Sequence, residues 1–111
     1  MNIELTPENL LIQLGYPVND ATLAQIERII ANTPGFEKFA KHLLTLNDEV
    51  KRYAGLVGLS NSKDYLKVKT DSHDPEEIEA FREILERWSE KYKVALEKVE
   101  GKETYYILGH Q

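Results

Sequence analysis

The chain has 111 residues, a mass of 12.8 kDa, a formal net charge of −5 at pH 7 and no cysteine. A chain of this size buries about two thirds of its unfolded surface, which is enough for one domain with a hydrophobic core. Without cysteine the chain cannot form disulfides, cysteine–zinc sites, iron–sulfur clusters or a thiol nucleophile.

The beginning of the chain and its apolar runs bear on localisation. Residues 1–7 lack the basic start and the apolar run of a signal peptide, and no apolar stretch approaches the ~20 residues that span a bilayer. The absence of cysteine fits a reducing compartment. We therefore expect a cytoplasmic protein with no membrane partner.

Cap residues followed by apolar residues at helical spacing predict three helices in the first half of the chain. The predicted helices cover about 7–14, 20–32 and 34–53. The residues that open them are Thr6 with Pro7, Asn19 or Asp20, and Thr33 with Pro34.

The third predicted helix carries an apolar seam at heptad spacing. The seam consists of Phe36, Phe39, Leu43, Leu46, Val50 and Tyr53, with Val57 as a further member if the helix continues. It is shorter than the three or four heptads that indicate a free coiled coil. We therefore expect an internal helix packed on its neighbours, with a homodimer seam as the alternative.

Residues 55–63 contain two glycines and a Ser-Asn-Ser cluster, which indicate that the third helix has ended. We interpret this segment as a hinge between a helical half, 1–54, and a second half, 64–111. Each half holds only about 50 residues and is too small to bury enough surface alone. The two halves should therefore share one core in a single α+β domain, 1–111.

The second half has the pattern β-α-β-β. Alternating apolar residues and lysines predict a half-exposed strand over 65–70, and Asp74 followed by Pro75 opens a helix over 75–92. Glu77, three residues after the cap, is placed to reach back to it. Two further strands, over 94–99 and 103–108, should be joined by a type II′ turn that begins with Gly101.

The composition of these strands predicts their order in the sheet. Residues 105–108 are apolar on both faces, as in a central strand, whereas the two lysine-bearing strands resemble protected edges. We expect a small antiparallel sheet of order 1-3-2, packed on the helices. Met1, Ile3 and Leu5 also alternate with polar residues and predict a short additional edge strand.

Neither a metal site nor a cofactor site is predicted. Asp71, His73 and Asp74 offer oxygen and nitrogen ligands, but Asp74 is already explained as a helix cap. The glutamates of the helix over 75–92 lack the Glu-x-x-His partners of carboxylate-bridged metal sites.

Charge is distributed unevenly and suggests two interaction surfaces. Residues 35–70 contain seven basic and four acidic residues, whereas residues 71–111 contain six basic and eleven acidic residues. The basic candidate surface consists of Lys63, Tyr65, Lys67 and Lys69. The acidic one consists of Glu79, Glu83, Glu86 and Glu90, which share one helical face. We also expect Glu83 to pair with Arg87 at four-residue spacing.

These residues do not identify the function, and three hypotheses stay open. A good core without a cofactor fingerprint favours a non-enzymatic protein-interaction or regulatory module that self-associates through a helix face or an edge strand. The first alternative is a nucleic-acid-binding protein whose lysines meet phosphates while Tyr65 meets a base. The second is a small-ligand binder or an enzyme with a pocket between the helical half and the sheet, near His73 or Tyr106.

Overall fold

The computed structural model describes residues 6–60 and 62–111. Those residues form four helices and four strands, which confirms the α+β class. The elements are α1 (Pro7–Gln13), α2 (Asp20–Asn32), α3 (Phe36–Lys51), β1 (Gly55–Leu59), β2 (Leu66–Thr70), α4 (Pro75–Tyr92), β3 (Val94–Lys98) and β4 (Thr104–His110). The strand predicted from Met1, Ile3 and Leu5 lies outside the described residues.

Local capping determines where three of the four helices begin. The side-chain oxygen of each cap accepts a hydrogen bond from a backbone N–H in the first turn, which otherwise has no partner. The caps and the residues whose N–H groups they accept are Thr6 with Asn9, Asn19 with Thr22, and Asp74 with Glu76. These three predicted helix starts are confirmed.

The start of α3 differs from the prediction. The helix begins at Phe36 instead of residue 34, after Gly35, whose φ of 67° is left-handed and which makes no side-chain cap bond. The hydroxyl of Thr33 donates to the carbonyl of Ile29 at 2.6 Å, so its bond is to α2. The Thr33-Pro34 signal therefore belongs to the end of α2 and not to the start of α3.

The sheet has four strands in the order β1-β2-β4-β3, and all neighbours are antiparallel. The predicted order 1-3-2 is wrong for the whole sheet because it omits β1. The three strands that it covers do lie as predicted, with β4 between β2 and β3. β1 pairs with β2 from Gly55 opposite Thr70 to Leu59 opposite Leu66. The strand at 66–70 is therefore internal, and its lysines do not protect an edge.

β1 occupies most of the segment that was predicted to be a hinge. Its two glycines look like helix terminators in the sequence, but both allow close contacts in the sheet. A Cβ on Gly55 would lie 2.8 Å from the Cβ of Val50, and a Cβ on Gly58 would lie 2.6 Å from the hydroxyl oxygen of Tyr16. Residues 55–59 of that segment are therefore a paired strand and not a loop.

The free edge of β1 is covered by side chains from the helical region. The N–H of Val57 donates to Asn47 Oδ1 at 2.9 Å, and the N–H of Leu59 donates to the Tyr16 hydroxyl at 3.0 Å. Unpaired N–H groups at a sheet edge would otherwise attract another strand. This edge is therefore occupied within the chain itself.

The β3–β4 connection uses a different turn from the one predicted. The N–H of Lys102 donates to the carbonyl of Val99 at 3.2 Å, which makes Gly101 the third residue of the turn. The φ of Gly101 is 77°, as the third position of a type II turn requires. The type II′ prediction is wrong because it placed the glycine one position too early.

α3 and α4 cover one face of the sheet and bury a continuous core. The rings of Phe39 and Trp88 meet edge to face at 6.1 Å, and Trp88 Nε1 donates to the carbonyl of His42 at 2.9 Å. Five of the seam residues, Phe36, Phe39, Leu43, Leu46 and Val50, are buried against the chain's own core. The seam is therefore internal, as expected. No described helix has the length and hydropathy needed to cross a membrane.

Candidate binding face of the sheet

The face of the sheet turned away from α3 and α4 carries polar and aromatic side chains. Alternation along β2 buries Leu66 and Val68 in the core, so Lys67 and Lys69 lie on the opposite face. The register with β4 places Lys67 opposite Tyr106 and Lys69 opposite Thr104. We name this surface the sheet patch and define it as Ser62, Lys63, Tyr65, Lys67, Lys69, Thr104 and Tyr106.

The connection between β1 and β2 is anchored to α2. Gln25 Nε2 donates to the carbonyl of Ser60 at 2.9 Å, and Asn32 Nδ2 donates to the carbonyl of Asp64 at 3.0 Å. Arg28 also forms an exposed ion pair with Asp64 at 3.6 Å. These contacts tie Ser60 and Asp64, which lie on either side of Lys63, to α2.

A chain of hydroxyl groups joins this connection to β4. The hydroxyl oxygen of Ser62 lies 2.9 Å from that of Tyr106 and 3.2 Å from that of Ser60. The Ser60 oxygen also accepts the N–H groups of Ser62 and Lys63, at 3.3 and 3.4 Å. The hydrogen bond with Ser62 lowers the pKa of the Tyr106 phenol, with further lowering from Ser60 and from the charges of Lys63 and Lys67.

The aromatic rings of the sheet patch lie among its ammonium groups. The rings of Tyr65 and Tyr106 are 6.1 Å apart at an angle of 43°, and Lys63 Nζ lies 5.2 Å from the centre of the Tyr106 ring. Lys69 is paired with Asp71 at 3.6 Å. Among the described residues, neither Lys63 nor Lys67 forms an ion pair. The patch can therefore offer positive charge and aromatic surface to the same ligand.

The sheet patch continues into a groove of about 770 Å³ on the same face of the sheet. The groove is lined by Lys67, Lys69 and Tyr106, and it also reaches His73 and Lys102. The predicted pocket near His73 or Tyr106 was expected between the helical half and the sheet. The groove reaches both of these residues on the outer face, while α3 and α4 pack against the sheet through a core of buried side chains.

The structure brings together all four residues of the predicted basic surface and adds others. The prediction lacked Thr104 and Tyr106 because strand pairing, not sequence proximity, places these β4 residues beside β2. It lacked Ser62 because the contact of Ser62 with Tyr106 depends on the same pairing. Alternation gives a partial signal, since Thr104 and Tyr106 alternate with Tyr105 and Ile107, of which Ile107 is buried in the core.

The predicted acidic surface is separate from the sheet patch. Its glutamates are exposed, on the side of α4 away from the core: Glu79, Glu83, Glu86 and Glu90. The predicted pair of Glu83 with Arg87 is wrong. The ion pair that α4 forms joins Arg82 to Glu103, with two guanidinium N–H groups donating to the carboxylate, and these bonds lower the pKa of Glu103.

The Asp71–Asp74 segment is organised by the hydroxyl of Ser72. That hydroxyl donates to Glu77 Oε1 at 2.8 Å and accepts the N–H of Asp74 at 3.1 Å. The predicted direct bond from Glu77 back to the cap is therefore replaced by one through Ser72. Residues 6–60 and 62–111 contain no group of three His, Asp or Glu side chains arranged to hold a metal ion.

Comparison with protein families gives no matching model, and searches of curated proteins and of solved structures give no significant match. Inference about function therefore rests on the geometry of the sheet patch.

Proposed function

We propose that this protein is a non-enzymatic binding module that holds an anionic partner on its sheet patch. The observation that carries the proposal is the internal position of β2, the strand that bears Lys67 and Lys69. Lysines commonly protect sheet edges from pairing with other strands, but an internal strand has no free edge to protect. Another role is needed to account for three lysines grouped beside two tyrosines.

The charge distribution supports an anionic partner at this surface. The chain as a whole is acidic, with a net charge of −5, whereas residues 35–70 carry seven basic and four acidic residues. A local positive patch attracts an anion, while an acidic remainder repels it from other surfaces. Binding should therefore be confined to one face of the protein and weaken with added salt.

A titration monitored by NMR tests this proposal. Isotope-labelled protein is titrated with polyglutamate and, separately, with polyphosphate at low ionic strength. Backbone amide shifts should fall on β2, on β4 and on the connection around Lys63. The variant Lys67→Glu should lose the response, whereas Lys91→Glu, which makes the same charge change on the exposed surface of α4, should keep it. Shifts confined to α3 and α4, or no shift with either polyanion, would overturn the proposal.

A second copy of the chain is the second candidate partner. The exposed glutamates of α4 are complementary in charge to the sheet patch, which favours contact between the two surfaces on different copies. The buried α3 seam and the occupied edge of β1 argue against self-association through either of those elements.

Light scattering coupled to size exclusion tests self-association. A dimer or larger species that dissociates with added salt, and that Lys67→Glu abolishes, would support charge-driven contact between copies. A monomer at all concentrations and salt levels would remove this candidate while leaving the binding of other anions intact.

A further inference from the structure

We infer that the anionic partner is a single-stranded nucleic acid whose bases stack on the tyrosines of the sheet patch while its phosphates meet the lysines. The inference rests on the proposed function, because it names the chemistry of the partner bound at the same surface. Binding of an anion by charge alone would need only the ammonium groups. The patch also contains the paired rings of Tyr65 and Tyr106, which the inference explains.

The ring of Tyr106 is anchored through its hydroxyl, and the ring of Tyr65 lies beside it. The hydroxyl of Tyr106 is bonded to Ser62, in a connection that Gln25 and Asn32 tie to α2. Tyr65 lies next to Tyr106 at 6.1 Å. Aromatic side chains positioned on a rigid surface stack on unpaired bases of any sequence. A polymer of carboxylates or phosphates would use the lysines but would gain nothing from the rings.

The placement of the charges fits a backbone that runs along β2. Lys67 and Lys69 alternate on one face of the strand, about 7 Å apart at two residues' rise. Lys63 extends the series past Tyr65, over the ring of Tyr106. An ammonium group at an exposed ring can exchange that weak contact for a phosphate oxygen. Three ammonium groups therefore lie along the direction of the strand. Those of Lys63 and Lys67 form no ion pair with a described residue, and that of Lys69 would exchange its pair with Asp71 for a phosphate.

Duplex DNA fits the same surface poorly. A duplex is most often read by a helix or a two-stranded ribbon that enters its major groove, and the bases of a duplex are stacked on one another. The sheet patch is one face of a four-stranded sheet, and α4, the longest of the described helices, exposes five glutamates. Stacking on Tyr65 requires bases without partners, so a single strand is the form that the patch favours.

Fluorescence anisotropy with labelled oligothymidylate and oligouridylate tests the electrostatic part. If three lysines meet phosphates, the logarithm of the binding constant should fall with the logarithm of salt concentration with a slope of about −2. Affinity should then drop about 20-fold between 50 and 200 mM salt. Lys67→Gln should make this slope less negative by about 0.7, whereas Lys91→Gln on α4 should leave the slope unchanged.

Substitution of Tyr65 tests the stacking part. Tyr65→Leu should weaken oligonucleotide binding about 5- to 150-fold, the range that corresponds to loss of one base–aromatic stack. Tyr65→Phe keeps the ring and should keep the affinity. Circular dichroism melting shows whether each variant is folded at the assay temperature. If the leucine variant is unstable, an abasic strand of the same length replaces it: the native protein should bind that strand more weakly than oligothymidylate, and equal binding would contradict stacking.

The outcomes separate the inference from the proposed function. If polyglutamate competes fully with the oligonucleotides and Tyr65→Leu binds as tightly as the native protein, the nucleic-acid inference is wrong and the proposed function stands. If neither the oligonucleotides nor the polyanions bind at low salt, both are wrong. A duplex of the same base composition that binds more tightly than the single strand would also overturn the inference.

Discussion

Replacing Asn47 with alanine tests how the free edge of β1 is held. The side-chain oxygen of Asn47 accepts the N–H of Val57 at 2.9 Å, and both residues are buried, with exposed fractions of 4 % and 1 %. In the Asn47→Ala variant this N–H has no protein acceptor. Because solvent does not reach this N–H group, loss of the bond should lower the free energy of unfolding.

The expected loss follows from two opposing effects. A buried donor without a partner costs about 1–3 kcal/mol. Alanine is a better helix former than asparagine by up to about 0.7 kcal/mol, which offsets part of this loss within α3. With the full offset, the net decrease in unfolding free energy should be about 0.3–2.3 kcal/mol. For 111 residues the midpoint of thermal unfolding should fall by about 1–10 °C.

Urea unfolding and hydrogen exchange measure this prediction at two levels. The matched control is Asp48→Ala, which changes the exposed neighbour on the same helix and should be neutral or slightly stabilising. The backbone amide of Val57 should exchange faster in Asn47→Ala and at the native rate in the control. Equal stability of the two variants, with unchanged exchange at Val57, would refute the role assigned to Asn47.

Three further predictions concern single contacts. Gly58→Ala places a Cβ 2.6 Å from the Tyr16 hydroxyl oxygen. We expect the free energy of unfolding, measured in urea, to fall by about 1–3 kcal/mol, and to fall by less in a Tyr16→Ala background. Equal decreases in both backgrounds would contradict the contact. The pKa of Glu103 is lowered chiefly by its hydrogen bond with Arg82. The ion pair of Arg82 with Glu103 therefore stabilises the folded protein above the ordinary glutamate pKa, and this contribution is lost as the pH falls through the lowered pKa of the folded state. Arg82→Gln should therefore be less stable than the native protein at neutral pH and equally stable in acid, and a difference that persists unchanged in acid would count against the pair. Ser62→Ala should raise the pKa of Tyr106, followed by NMR of the tyrosine ring carbons, since the Ser62 hydrogen bond is the main cause of its lowering; an unchanged pKa would contradict that cause.

The helices were predictable because their signals are local. Thr6, Asn19 and Asp74 cap the first turns of α1, α2 and α4 through bonds to backbone N–H groups two or three residues away. The start of α3 was misplaced because the side chain of Thr33 can bond in either direction along the chain. It bonds back to Ile29, a choice that depends on how α2 ends.

The sheet was only partly predictable because β1 depends on contacts across the fold. Gly58 is needed for the approach of Tyr16, which is 42 residues earlier in the chain, and no local pattern reports that contact. Because β1 was not predicted, β2 was interpreted as an edge strand. For the binding surface, alternation placed Lys67 and Lys69 on one face, but the pairing that brings Tyr106 beside them is set by the register of the sheet.

The position of β4 has a consequence for the chain during its synthesis. β4 is the last strand in chain order, yet it lies between β2 and β3 and joins them into one sheet. Until residues 104–110 leave the ribosome, the β1–β2 pair exposes the unpaired backbone of β2 along Leu66 and Val68, both of which are buried in the folded protein. A nascent chain at this stage presents an apolar strand edge of the kind that associates with other chains. Protection of the nascent protein from aggregation should therefore depend on how soon β4 becomes available to close that edge.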